Sequence, residues 1–318
     1  MNEETFSAGT ATVVPGQKAR GVLEVPGTDL RLPLTLVCGR TPGPTVLVTA
    51  GVHGGEYPGI EAAIRLAREL DPAQVRGRVA IVHICGISAF HARMQYLTPE
   101  DGKNPNRVYP GRATGTVSER LAYTIMETFV ARADAWVDLH GGDIHESLWP
   151  FTIHSARGPS DVASRARAMA DVFGIRHIIV SESISGGTYG AAAARSVPAI
   201  LVEAGGVGQL DEESVAIHLR GLHNVLRLLG VLPGSPQPAQ PPVRLSRFDW
   251  LRAEQAGCWY PAVQASERVR AGQVAGTIKD YWGETLADYR VPADGVVLFV
   301  VTSLAINPGD PLVGIGVV

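Results

Sequence analysis

The turn GVHGGE sets His53 and Glu56 three residues apart, a spacing that lets an imidazole and a carboxylate face one point where a helix begins. Gly54 and Gly55 between them permit close backbone approach. Much further along, WVDLHGGD places His140 directly after an apolar run, and AILVEAGG places Glu203 at the end of another. Two imidazoles and one carboxylate are the ligand set of a catalytic zinc, which keeps one position open for water. Such an ion lowers the pKa of a bound water and polarises a carbonyl. A free carboxylate must then carry the proton to the leaving group. His53, Glu56 and His140 are therefore the candidate zinc ligands, and Glu203 the candidate general base.

Each of these residues also has an ordinary structural role open to it. HGGE alone fits a surface turn, His140 a satisfied core histidine, Asp138 a strand-end cap and Glu203 the cap of a following turn. Their joint placement at strand ends favours a reactive centre, because ligands of open α/β sheets bind beyond the carboxyl ends of the strands. His145, in DIHESLW, is the one competing ligand, and His140 is preferred because it abuts a strand. His83 reads as buried in a strand, while His218 and His223 share a helix; these read as structural. A further group, Asn106 and Arg107 in NPNRVYPGR, sits in a Pro/Gly-rich loop. A guanidinium fork beside an amide suits bidentate capture of a carboxylate, although most loop arginines are merely solvated.

The elements that must position these side chains alternate between strand and helix. Thr45–Ala50, Val79–Ile84, Ala135–Leu139, His177–Ser181 and Ala199–Glu203 are short apolar runs that read as strands. Ile60, Ala63, Ile64, Ala67 and Leu70 recur at helical spacing, with Pro58 tolerated in the first turn. Further helices are expected from Ser118, as cap, to about residue 131, from about Asp161 to Phe173 with Gly174 closing it, and from about Glu212 to Gly230. Continuous apolar strands of this kind indicate a mostly parallel or mixed central sheet with helices on both faces. The segment PGSPQPAQPP carries five prolines and no large apolar residue, and reads as a stiff linker. The expected organisation is a catalytic domain over 1–232, a linker over 233–243 and a small all-β domain over 244–318.

Composition bounds the partners. A net charge of -3 over 318 residues, with no Lys/Arg run, points away from nucleic acid and membrane surfaces. Three scattered cysteines form no CxxC pair, so neither a thiolate zinc site nor a disulfide framework is indicated. The polar N-terminus lacks the pattern of a signal peptide, and no apolar run approaches the roughly 20 residues of a membrane span. A cytoplasmic protein acting on a small molecule is the expectation, with a homo-oligomer possible.

Four motifs, GVHGGE (51–56), DGKNPNRVYPG (101–111), DLHGG (138–142) and VEAGG (202–206), together resemble the succinylglutamate desuccinylase/aspartoacylase family of the zinc carboxypeptidase superfamily. The resemblance spans roughly residues 40–230, with the motifs in the family's order. It implies one zinc ion on His53, Glu56 and His140, Glu203 as general base, and Asn106 and Arg107 gripping a substrate carboxylate. It further implies an arginine upstream of the NR pair that stabilises the oxyanion, and Arg93 is the match by position. Pro105 departs from the aliphatic residue usual before NR. With its β module the whole chain resembles N-acyl amino-acid or diaminobutyrate deacylases. The tail from GCWYPAV to GDPLVGI resembles a biotinyl/lipoyl-like barrel-sandwich, but no lysine stands beside the PADG turn to carry a cofactor. A lid or oligomerisation role follows, with Tyr260, Tyr281 and Trp282 as candidates to line the mouth of the site.

The function expected is zinc-dependent hydrolysis of an N-acyl amide on a small carboxylate-bearing substrate. A peptide-cleaving carboxypeptidase is the second enzymatic reading, and a non-catalytic small-molecule binding protein is the reading from another class.

Overall fold

The computed structural model describes residues 5–182 and 186–317. The chain opens with a hairpin of β1 (Phe6–Ala8) and β2 (Ala11–Val13), followed by β3 (Gln17–Glu24) and β4 (Arg31–Cys38). Then strands and helices alternate: β5 (Thr41–Ala50), α1 (Tyr57–Glu69), β6 (Arg76–Val82), α2 (Ile87–Ala92), α3 (Val117–Thr128) and β7 (Ala135–His140). Next come β8 (Glu146–Leu148), β9 (Phe151–Ser155), α4 (Ser160–Phe173), β10 (His177–Ser181), α5 (Thr188–Ala194), β11 (Ala199–Glu203) and α6 (Glu212–Leu228).

Nine strands pair in the order β12-β10-β9-β11-β7-β5-β6-β4-β3, where β12 is Val243–Leu245. The centre, β11-β7-β5-β6, is parallel, and antiparallel partners flank it through β9 and β4. The expected mixed α/β sheet is thus present. Its central strands are buried on both faces, as their unbroken apolar runs require. On β5, Val46 and Val48 pack with α1, α4 and α6, whereas Leu47 packs on the opposite face with α3 and α5. That alternation follows from the two-residue period of a strand.

The tail forms β13 (Arg247–Arg252), β14 (Gly257–Pro261), β15 (Arg268–Val269), β16 (Val274–Lys279), β17 (Thr285–Arg290), β18 (Gly295–Val301), β19 (Ala305–Ile306) and β20 (Pro311–Val317). These make two antiparallel sheets, β13-β20-β18-β15 and β17-β16-β14-β19, around a core of their own. One strand crosses between the parts: β8 pairs antiparallel with β18, Glu146 opposite Val301. The proline-rich segment contains no helix or strand, and Gln237 N–H donates to Asn224 Oδ1 of α6 at 2.9 Å. No helix of the described residues is long and apolar enough to cross a membrane.

Some local expectations shift. Helix α3 has Thr116 rather than Ser118 at its N-cap, where Glu119 Oε2 reaches back to accept the Thr116 N–H at 2.8 Å. Ser118 Oγ instead donates to Asp101 Oδ1 at 2.9 Å and lies within hydrogen-bond distance of the Thr98 hydroxyl, at 2.7 Å. β6 ends at Val82, so His83 lies just past it, half-buried and bonded to Thr35 Oγ1 at 2.9 Å. Gly174 closes α4 in the left-handed region, φ 91°, as a C-terminal glycine should.

Helices α4 and α6 approach closely at Gly221, where an added Cβ would fall 2.1 Å from the Phe173 ring. Gly221→Ala is therefore expected to lower stability by about 1–2 kcal/mol through overpacking, although alanine is the better helix former by about 1 kcal/mol. Denaturant midpoints should show a smaller loss in a Phe173→Leu background. An equal loss in both backgrounds would refute the clash.

Candidate metal centre and its cavity

The HGGE turn is built by close packing. An added Cβ on Gly54 would lie 2.1 Å from Phe90 N, and one on Gly55 would lie 2.1 Å from Asp143 Oδ1. Only glycines let the turn settle against α2 and the 141–146 loop, and this settles His53 and Glu56 beneath the ends of β5 and β7. His140 arrives from β7, and Glu203 stands opposite it in the β11–β7 register. His53, Glu56 and His140 are all buried, and one ligand atom from each lies within 4.8 Å of the others. His145 stands exposed in the turn before β8, outside this group.

The hydrogen-bond partners fix which ring nitrogen is available. Trp136 Nε1, which can only donate, gives its hydrogen to Thr49 Oγ1 at 2.6 Å. Thr49 Oγ1 donates onward to Asp138 Oδ1 at 2.5 Å, and Asp138 Oδ2 lies 2.9 Å from His140 Nε2. The carboxylate accepts, so His140 carries its hydrogen on Nε2 and turns Nδ1 toward Glu56 Oε2 at 2.9 Å. His53 is arranged alike. Asn104 Oδ1 accepts the Asn106 backbone N–H at 2.8 Å, so it also accepts from His53 Nε2 at 3.0 Å. His53 Nδ1 then faces Glu56 Oε1 at 2.7 Å.

This donor set fits a cation. Glu56 Oε2 is buried yet has no hydrogen bond of good geometry, despite its closeness to His140. Burial opposes charge on the cluster, but Glu56 raises both histidines above their ordinary range, with Asp138 adding to His140. Burial likewise opposes ionisation of Glu56, and the two imidazoles overcome it, holding the carboxyl down at about 2. Added protons on the imidazoles would meet the same demand for positive charge beside Glu56. A divalent ion would displace them.

The cluster opens into a cavity of about 650 Å³. Glu203 lines it, with Oε2 buried and unpartnered. Burial, and then the negative charge of Glu56, push this carboxyl well above the carboxylate range. Asn106 and Arg107 also line the cavity, on a single 3-10 turn, Pro105–Arg107, where an irregular loop was expected. Asn106 Oδ1 accepts the Thr188 N–H at 3.0 Å, leaving its amide nitrogen for the cavity side. Glu146 of β8 forms part of the wall, its carboxyl raised to about 7 by burial.

Two expectations are corrected. Arg93 is exposed, outside the cavity lining, because it ends α2 in the left-handed conformation, φ 52°. Tyr260, Tyr281 and Trp282 are also exposed and do not line the mouth; Trp282, beyond the end of β16, is 86% accessible. The module instead presents Phe248, Trp250, Arg252 and Phe299. Asn104, Tyr96, Glu146 and Arg252 have no place in the sequence reading, which gives Asp138 only the role of a strand-end cap. For Asp138 a signal existed, an acid two residues from His140 and so on the same strand face; for Arg252 there was none.

Residues 42–229 match the model of the succinylglutamate desuccinylase/aspartoacylase catalytic domain. The chain is 32% identical over 289 residues to the N-alpha-acetyl-L-2,4-diaminobutyric acid deacetylase of Halomonas elongata, spanning 88% of this chain and 84% of that one. A succinylglutamate desuccinylase/aspartoacylase from Rhodobacter sphaeroides has the same fold, with TM-score 0.84 at 29% identity over 94% of this chain and 95% of its own. The product-bound ectoine utilization protein of Ruegeria pomeroyi superposes with TM-score 0.89 at 26% identity, over 100% of both chains.

The Thr49–Asp138–His140 chain makes a sharp prediction. In Asp138→Asn the side-chain oxygen should stay with the Thr49 hydroxyl and turn its NH2 toward His140 Nε2, forcing the ring hydrogen onto Nδ1. Metal affinity should fall about 10–100-fold, as for other partners of ligating histidines, measured by chelator competition on folded protein. Unchanged affinity would show that Asp138 does not set the tautomer.

Proposed function

The chain belongs to the succinylglutamate desuccinylase/aspartoacylase family, and we propose that it is a zinc-dependent deacylase that hydrolyses the N-acyl amide of a small amino-acid-like substrate. The observation that carries this reading is the buried, unpartnered Glu203 Oε2 in the same cavity as the His53–Glu56–His140 cluster. Zinc held by those three side chains would act as a Lewis acid, lowering the pKa of a water and polarising the acyl carbonyl.

The chain's own residues supply the rest. Glu203 Oε2 takes the proton of the attacking water and delivers it to the departing amine nitrogen. A cation at the cluster pulls the Glu203 carboxyl back toward ionisation, which a base requires. Asn106 and Arg107 orient the substrate through its carboxylate, and fixing that end holds the amide at the reactive centre. Phe248, Trp250 and Phe299 cover the opening with apolar surface and limit water inside. That cover favours small substrates over peptides. Arg93, outside the cavity, has no part in the scheme. The Halomonas elongata relative is named for Nα-acetyl-L-2,4-diaminobutyrate, and Glu146 in the wall offers an ammonium group a carboxylate partner. That compound is the first substrate to try.

Glu203→Gln should retain stoichiometric zinc yet lose turnover by about 10³-fold, within the usual range for general acid–base groups. The check is amine release from a panel of acyl amino acids, with zinc stripped and restored in the wild type. A Glu203→Gln protein that turns over at the wild-type rate would remove Glu203 from the reaction.

A further inference from the structure

Two guanidinium groups meet at one side of the cavity, one from each part of the chain. Arg107 comes from the 3-10 turn and Arg252 from the end of β13. Neither has a carboxylate partner among the described residues. Arg107 Nη1 donates to its neighbour's carbonyl, Asn106 O, at 2.7 Å; Arg252 Nη1 donates to Gly309 O at 2.9 Å. The nearby Arg247, by contrast, is paired with Asp249 at 2.8 Å.

Arg252 is aimed by its strand. Phe248, Trp250 and Arg252 lie on one face of β13 and all line the cavity. The register against β20 shifts beside it, Leu251 pairing with Val313 and Arg252 with Pro311, so the extra residue lies on β20 and the two-residue period of β13 runs through Arg252. The guanidinium then lies 4.9 Å from the centre of the Trp250 ring, a stacking that fixes the plane of the fork. Arg107 feels its neighbour: burial holds it below the ordinary arginine range, and the Arg252 charge adds to this against the opposing pull of Tyr189 and Glu203. Neither fork is hydrogen-bonded to a carboxylate, and the Arg252 charge opposes the buried charge of Arg107. An anion placed between the two forks would offset that repulsion and engage donors from both.

We propose that Arg252 is the second arm of the substrate-carboxylate clamp, closing on Arg107, so that the C-terminal β module supplies part of the recognition site. This rests on the reading of the chain as an N-acyl amino-acid deacylase, and extends it to a residue outside the catalytic motifs. The module then does more than cover the cleft: it selects substrates that carry a carboxylate.

The test uses the zinc-loaded full-length protein. Nα-acetyl-L-2,4-diaminobutyrate is compared with its carboxamide, in the wild type, Arg252→Ala and Arg252→Lys. For the acid, Arg252→Ala should raise KM about 10–100-fold with kcat little changed, the pattern of lost uniform binding, and Arg252→Lys should recover part of the loss. For the carboxamide, all three proteins should agree. An equal loss on both substrates would assign Arg252 a structural role and overturn the clamp, as would no loss on the acid. A binding arm keeps the two readings separable. L-2,4-diaminobutyrate and its amide are titrated calorimetrically into zinc-loaded Glu203→Gln protein, with and without Arg252→Ala. If the wild type hydrolyses no acyl amino acid, the deacylase reading fails, while a carboxylate preference that vanishes with Arg252→Ala still upholds the clamp. The absence of that preference overturns it.

Discussion

The hydrogen bond from Thr49 to Asp138, across the parallel pair β5 and β7, is the contact on which the centre depends. It exists because Thr49 and Asp138 stand directly opposite each other in register. The same register puts Trp136 Nε1 within reach of Thr49, and in the next pairing it sets Glu203 opposite His140. A slip of one residue would send every one of these side chains to the other face of the sheet. Asp138, Thr49 and Trp136 are almost completely buried, and a polar chain in that setting is stable only if every member is satisfied. The chain is satisfied only in the order that leaves His140 Nδ1 bare. Sheet pairing, tautomer and metal readiness are therefore one constraint expressed at three levels.

A second constraint ties the small module to that centre. β8 follows the His140 loop and pairs with β18, so the strand bearing Glu146 belongs at once to the site and to the module's sheet. Backbone bonds add to this seam: Trp149 N–H to Leu298 O at 2.7 Å, and Thr302 N–H to His145 O at 2.8 Å. Fixing β18 fixes β20, and β20 carries β13 with Phe248, Trp250 and Arg252 over the cavity. The wall that carries Phe248, Trp250 and Arg252 is thus tied by hydrogen bonds to the segment after His140. That explains how a module with its own core can contribute side chains to a site assembled elsewhere.

Much of this was legible in the sequence where local pattern and chemistry coincide. His177–Ser181 and Ala199–Glu203 were read to the residue because each is an apolar run bounded by turn formers. The ligand trio was visible because strand ends converge in a parallel sheet whatever the details of packing. Thr116 was passed over although Thr116-x-x-Glu119 is a capping-box pattern, since the more obvious hydroxyl at Ser118 drew attention. Arg93 failed for a different reason. A resemblance fixes position along the chain, but the left-handed residue that ends α2 sets the direction of the side chain. Tyr260, Tyr281 and Trp282 looked like a rim because large aromatics suggest contact, yet which hairpin faces the cleft is decided by the β8–β18 seam, and no local sequence encodes that.

The uncompensated charges show how site and stability are traded. Among the described buried side-chain atoms, the carboxylate oxygens left without a partner are Glu56 Oε2 and Glu203 Oε2, and both face the same space. Arg107 and Arg252 line the same cavity, and neither guanidinium is hydrogen-bonded to a carboxylate among the described residues. In a fold whose polar groups are otherwise mostly paired, such a concentration is where local consistency gives way to function. The imidazoles stand beside Glu56, where a cation fits, and the two guanidinium groups line the same cavity, where the proposed clamp takes an anion. A ligand with an electrophilic carbonyl at one end and a carboxylate at the other meets both demands at once. Under the proposed clamp, one of these contacts comes from the β module, so the fit of a substrate would depend on how β13 is held on β20.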